Sequence, residues 1–269
     1  MRGTMSKIDK EAAKRHNKAL ELVRSDKELT MDERWYILEN YHEGATNLNS
    51  LAGAFFTPVG LAKDFCIEIH SNSTIDLCAG IGCLSFVAFA RGWLEIGQMT
   101  CVELNPEYVE VGRRLLPEAT WICGDITDEA LMKSLGRFGQ AIGNPPFGRV
   151  KSGSTAWAGY TGSEFEYKAI AVASRIADAG TFIIPQMSAG FEYSGMREHK
   201  SDIRSDKLNK FTQQTGIELG VSCGIDCSFH IGDWKGVAPK VEIVDCWFEP
   251  LQSEPTAPFD LPEIDIVHQ

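Results

Sequence analysis

Two spacings of apolar residues divide the chain. From about Lys7 to Glu43 they recur at helical intervals, with Ala19, Leu20 and Val23 on one stripe and Trp35, Ile37 and Leu38 on the next, which predicts two helices. "GATNLNSLAG" then breaks the pattern. From residue 73 onward short apolar runs alternate with amphipathic stretches: "STIDLCA", a helix through "CLSFVAFARGW", "MTCVEL", a helix in "PEYVEVGRRLL", "ATWICGD", a short helix from Thr127, and "FGQAIGN". Pro106 suits the first position of its helix, since its missing N–H has no partner there in any case. Ser163 and Glu166 have capping-box spacing and predict the start of a helix whose Phe165, Ala169, Val172 and Ile176 share a face. That helix leads into "GTFIIPQ".

Strands that are short continuous apolar runs, each followed by a helix, call for a parallel sheet covered on both faces. Near the end, "SCGIDCSFHI" and "KVEIVDCWFE" are joined by "GDWKGVAPK", which has no room for a crossover helix, so these two are expected to pair antiparallel. The expected architecture is α/β: a seven-stranded, mostly parallel sheet with an antiparallel terminal hairpin and helices on both faces. The pattern divides the chain into a helical extension at 1–50, a main domain at 51–249 with a small insert near 187–215, and a tail at 250–269 rich in proline and acid.

Composition narrows the partners. The 269 residues are 43% apolar and 23% charged, as in globular proteins, and no apolar run approaches the roughly 20 residues that span a bilayer. The start of the chain is too polar for a signal peptide, so a cytoplasmic location without a membrane partner is expected. A net charge of −11 argues against a protein that coats nucleic acid nonspecifically. A local basic face is compatible with it, and Arg197, Lys200 and Arg204 in "MREHKSDIRSDKLNK" are candidates, against the plainer reading of a solvated helix face. The eight cysteines read as free thiols. Cys223 and Cys227 have metal-ligand spacing, but His230 supplies at most one further ligand, so no metal is expected.

Ligands of such folds sit beyond the carboxyl ends of the strands, and the strand ends here are polar or tightly turning. Asp76 leads into Cys78, Ala79, Gly80 and Gly82, where the backbone can approach a ligand closely. Ser85 stands where a dinucleotide fingerprint needs its third glycine, which disfavours a nicotinamide enzyme, and there is no P-loop. Glu103, followed by Leu104, ends the second run, where an acid can accept from both hydroxyls of a ribose. Asp125 ends the third; its carboxylate can accept from an adenine amine while the Ile126 N–H donates to the ring. The fourth ends in Asn144, Pro145, Pro146 and Phe147, a rigid corner.

In this order the motifs resemble those of S-adenosylmethionine-dependent methyltransferases, and among them the amino-methylating DNA adenine enzymes of bacteria and phages. The resemblance runs from about Phe55 to Gln186. "AFFTP", with Phe56 and Thr57, resembles the cofactor-contacting motif that precedes the glycine loop; "DLCAGIG" resembles that loop, Glu103 the ribose acid, Asp125 the adenine acid and "NPPF" the catalytic motif. It implies a Rossmann-like class I methyltransferase fold, S-adenosyl-L-methionine as cofactor, and methyl transfer to the N6 amine of an adenine flipped out of duplex DNA. The chemistry suits the motif. An adenine amine is a poor nucleophile, and acceptors fixed on its two hydrogens hold its lone pair in line. Phe147 then stacks on the flipped base.

Three other readings stand beside this one. "NPPFG" also occurs in enzymes that methylate RNA adenine or guanine, and a similar motif serves glutamine methylation on release factors. A non-catalytic interaction protein on the same fold would be expected to have lost Asn144. Cytosine-5 methylation is excluded, because its nucleophile follows a proline and this chain has no Pro-Cys pair. Target reading is expected from the insert and from "GRVKSGSTAWAGYTGS", a loop suited to moving over the substrate, with Arg149, Lys151, Trp157 and Tyr160 as candidates for nucleic-acid contact. So small a reader implies a short target sequence or a helper protein.

Overall fold

The computed structural model describes residues 10–42 and 55–248. Lys7, Glu43, Ala54 of the "AFFTP" motif and the 250–269 tail lie outside them. Seven strands form one sheet in the order β3-β2-β1-β4-β5-β7-β6. Strands β1 (Thr74–Leu77), β2 (Met99–Glu103), β3 (Thr120–Cys123), β4 (Phe138–Gly143) and β5 (Ala177–Pro185) run parallel, and β7 (Val241–Trp247) lies antiparallel to β5 and to β6 (Gly220–Val221). The chain reverses its winding direction between β1 and β4, and a crevice opens at such a switch point beyond the strand ends.

Helices cover both faces. On one lie α3 (Val59–Phe65), α4 (Cys83–Ala90) and α5 (Pro106–Leu115), which bury Phe65, Phe86 and Val109. On the other lie α6 (Glu129–Ser134), α7 (Phe165–Ile176), the short α8 (Gln186–Ala189) and α9 (Asp206–Thr215), around Tyr167, Ile170, Phe182 and Phe211. Pro106 opens α5 as expected, with the Asn105 side chain accepting from the Glu107 N–H. The four residues expected to share a face of α7, Phe165, Ala169, Val172 and Ile176, are all buried. The N-terminal helices α1 (Lys10–Arg24) and α2 (Met31–Asn40) dock on the first face: Arg34 pairs with Glu118 at 2.8 Å, Trp35 meets Phe86 edge-on at 4.9 Å, and Arg114 donates to the carbonyls of Ser25 and Lys27.

Two local expectations are corrected. The hairpin partner of β7 is Gly220–Val221, and "SCGIDCSFHI" instead forms a loop with a 3-10 turn at Cys227–His230. Asp226 caps that turn through the Ser228 N–H, which takes the backbone out of extended geometry. Ser163 and Glu166 form no capping box: Glu164 is the N-cap of α7, and the Glu166 carboxylate turns to the Gly148 N–H and the Ser188 hydroxyl.

Candidate active site

A cleft of about 460 Å³ opens at the carboxyl ends of β1, β2, β3 and β4. Its floor is the turn after β1. Cys78 adopts φ 64° and Gly80 φ 59°, both in the left-handed region that is strained for residues other than glycine. A Cβ on Gly80 would stand 3.2 Å from the Phe56 ring, so that ring lies directly on the turn. Gly82, at φ 87°, precedes α4 and packs under Trp121. Ala79, Thr57 and Asp76 border a small recess that adjoins the cleft and shares Asn144 with it.

The three acids stand at the ends of neighbouring strands but in different surroundings. Asp76 is buried; its Oδ2 accepts from the Ser85 hydroxyl at 2.5 Å, and its Oδ1 has no partner. Burial pushes its pKa up to about 7. Glu103 accepts from the Gly80 N–H on Oε2 and from the Asn105 N–H on Oε1, both at 2.8 Å. Burial outweighs these bonds and raises its pKa. Each oxygen has a second lone pair, and Glu103 lines the cleft. Asp125 accepts on Oδ1 from the N–H and hydroxyl of Thr127, both at 2.8 Å, which holds the carboxylate at the rim. Ile126 is buried along the wall and Leu104 is 64% exposed at the mouth.

Asn144 follows the last residue of β4. Its Nδ2 donates to the Phe55 carbonyl and to Thr57 Oγ1, both at 3.0 Å, so both amide hydrogens are engaged. The same bonds fix which way the amide faces. Its Oδ1 is buried and unpartnered. Pro145 is buried, Pro146 lines the cleft, and the Phe147 ring lies 6.3 Å from that of Phe55. A buried acceptor left unpaired costs about 1–3 kcal/mol; two of them, on Asp76 and Asn144, border the small recess that adjoins the cleft.

The residues after Phe147 form a tethered loop. Buried Lys168 donates to Ser152 Oγ and the Gly153 carbonyl, both at 2.9 Å, and the Gly153 N–H donates to Thr127 Oγ1. Arg149 is exposed and lies 3.6 Å from Glu164, while Lys151 is exposed at the edge of the cleft. Trp157 is half-buried with its Nε1–H on the Thr127 carbonyl. Tyr160 is corrected as a surface contact: it is 1% exposed, packed edge-on against Tyr167 and Phe211. Arg197, Lys200 and Arg204 are exposed, Lys200 paired with Glu192 and Arg204 with Glu218; helix begins only at Asp206, so most of this basic stretch is loop.

Sequence reasoning missed Tyr108 and Phe165, which also line the cleft, and the Phe55 carbonyl that orients Asn144. The run "PEYVEVGRRLL" announces a helix and nothing of Tyr108's place in the cleft. Glu166, which with Ser188 braces the loop behind Phe147, carried only the misleading spacing of a cap, and Ser188 gave no sequence signal. Among the described residues no group of His, Cys, Asp and Glu is arranged to hold a metal, and no helix is long and apolar enough to cross a membrane.

The chain matches no protein-family profile and no curated protein. Solved structures do match it. The methyltransferase subunit of a type I restriction-modification system from Streptococcus thermophilus superposes with a TM-score of 0.52 at 12% identity, over 82% of this chain and 49% of that one. A chain from a structure of the type I R-M system, solved to explain its assembly and conformational transition, gives 0.52 at 14% identity, over 81% and 48%. The chain spans about half the length of these two proteins. At such identities the likeness concerns the fold, and with the strand order it closes the structural account: this is the seven-stranded class I methyltransferase fold.

Proposed function

We propose that the protein transfers a methyl group from S-adenosyl-L-methionine to the N6 amine of an adenine flipped out of duplex DNA. The observation that carries this reading is the Asn144 amide. Its donor side is tied to Phe55 and Thr57, so its bare Oδ1 can serve only as an acceptor for a group entering the cleft. An amine with two hydrogens is such a group, and the Pro145 carbonyl is the second acceptor in this reading.

The cleft fits an adenosine cofactor. Glu103 offers lone pairs for ribose hydroxyls, Asp125 and Ile126 are suited to the adenine edge, and the orphaned Oδ1 of Asp76 suits a cationic amine. When bound, the cofactor supplies an electrophilic methyl on a sulfonium. Asn144 and Pro145 hold the target amine with its lone pair in line, and Phe147 offers a ring for the flipped base to stack on. The amine proton leaves for water after transfer, so no strong base is needed nearby. A helper protein is part of the proposal, since two proteins of similar fold are a methyltransferase subunit and a component of an assembled restriction-modification system.

The test is transfer of labelled methyl from the cofactor to genomic DNA by the wild type and by Asn144→Ala. Label in DNA with the wild type and a loss of at least about 100-fold in the variant is expected. Equal incorporation by both overturns the mechanism, and label in RNA alone overturns the substrate.

A further inference from the structure

The connection between β6 and β7 carries a feature that methyl transfer itself does not use. Phe229, in the 3-10 turn Cys227–His230, is 82% exposed, although the turn around it is heavily braced. Asp226 Oδ1 accepts from the N–H groups of Ser228 and Gly195, both at 2.9 Å. The Cys227 N–H donates to Ser194 Oγ, which in turn donates to Glu242 on β7. The next residue, His230, is clamped between Asp64 at 2.7 Å and Asp233 at 3.2 Å, and its ring packs so tightly on Gly60 that a Cβ there would meet it at 2.7 Å. A large ring held out in water on so rigid a base is positioned for contact.

The turn stands on the face where the cleft opens. Glu242 pairs with Ile184 near the carboxyl end of β5, and Gly60 follows Thr57, the residue that holds Asn144, by less than one helical turn. Met187, just past the end of β5, is 81% exposed, and Gly195 in the same insert lies against Ser228. The ring has little apolar company. Its chain neighbours Ser228, His230, Gly232 and Asp233 are polar or small, and Ile231, 37% exposed, is the one other exposed apolar residue of this turn, which falls short of the contiguous apolar centre of a protein interface. A lone aromatic or methionine side chain among polar neighbours suits the gap between stacked bases.

We propose that Phe229 is a wedge that enters the duplex where the target adenine leaves it. This rests on the base-flipping reading above. The carboxylates of Asp64 and Asp233 are turned onto His230, and in the neighbouring insert Arg197 is exposed, as are Lys200 and Arg204 in their surface pairs with Glu192 and Glu218, which phosphates can displace. A wedge holds an extrahelical base out, so it matters only when there is a duplex to open.

The test compares methyl transfer to native genomic DNA and to the same DNA after heat denaturation, for the wild type, Phe229→Ala and Phe229→Leu. Phe229→Ala is expected to lower the rate on duplex by about tenfold, the loss of one base–aromatic contact. On single strands it is expected to stay within about twofold, with Phe229→Leu between the two on duplex. Unchanged melting temperature and cofactor affinity are expected, because the ring is in water. Equal losses on both substrates, as removal of a protein-docking residue or a folding defect would give, overturn the wedge, as does no loss on either. If the wild type labels neither substrate, the DNA reading fails with it; if the wild type labels duplex and Phe229→Ala labels it equally, the wedge alone fails.

Discussion

Thr57→Val tests the orientation of the Asn144 amide, proposed above to hold the target amine, without touching the acceptor itself. Valine keeps the shape of threonine at this buried position but removes Oγ1, one of the two acceptors that Asn144 Nδ2 uses at 3.0 Å. The Phe55 carbonyl remains. A neutral hydrogen bond contributes about 0.5–1.5 kcal/mol net, and leaving its buried partner unmet costs about 1–3 kcal/mol. A loosened amide spends time with Oδ1 turned away from the cleft, and about 1.4 kcal/mol of lost alignment is a factor of ten in rate. Single-turnover methyl transfer is therefore expected to fall about fivefold to twentyfold, with cofactor affinity within about threefold of wild type. Thr57→Ser, which keeps the oxygen, is expected to recover most of the rate. A Thr57→Val enzyme as fast as the wild type would refute the reasoning, because the amide would then need no second tether.

Glu166→Ala is expected to slow transfer and to lower the melting temperature, since it strands the Gly148 N–H and the Ser188 hydroxyl; a loss of about 2–4 kcal/mol is expected by denaturant titration, with Glu166→Gln costing half or less. Asp76 titrates in the folded protein near pH 7, raised by burial from the ordinary carboxylate value, so the folded state binds its proton more tightly than the unfolded state. Its contribution to stability is largest below about pH 4 and declines as pH rises toward 7. Asp76→Asn is therefore expected to gain on the wild type in melting temperature as pH goes from 4 to 8 without bound cofactor, and a constant difference would contradict the assignment. Arg34→Met, which removes the ion pair with Glu118, is expected to destabilise by a few kcal/mol, because the Arg34 side chain is 9% exposed and that of its partner 20%; limited proteolysis should then release the N-terminal helices first.

The strand ends were legible because each polar group terminates an apolar run and a parallel sheet gathers every carboxyl end on one edge. Asp76, Glu103, Asp125 and Asn144 therefore came together without any long-range information. What stayed hidden depended on contacts between distant segments. "SCGIDCSFHI" has the alternation of a strand, but Asp226 and His230 find partners at Gly195 and Asp64 that hold it as a turn. Its real counterpart, Gly220–Val221, is too short to carry a pattern. Glu166 has the spacing of a cap, yet the Gly148 amide, 18 residues away, claims its carboxylate. Tyr160 sits in a sequence of glycine and serine that looks solvated, and only the rings of Tyr167 and Phe211 take it inside.

The most direct test of the central claim is the identity of the methylated nucleoside. After incubation with labelled S-adenosylmethionine and genomic DNA, enzymatic digestion and chromatography with mass detection should place the label in N6-methyldeoxyadenosine, and Asn144→Ala should abolish that peak. Label in a methylated cytosine or in RNA nucleosides alone, or an undiminished peak with Asn144→Ala, would contradict the account.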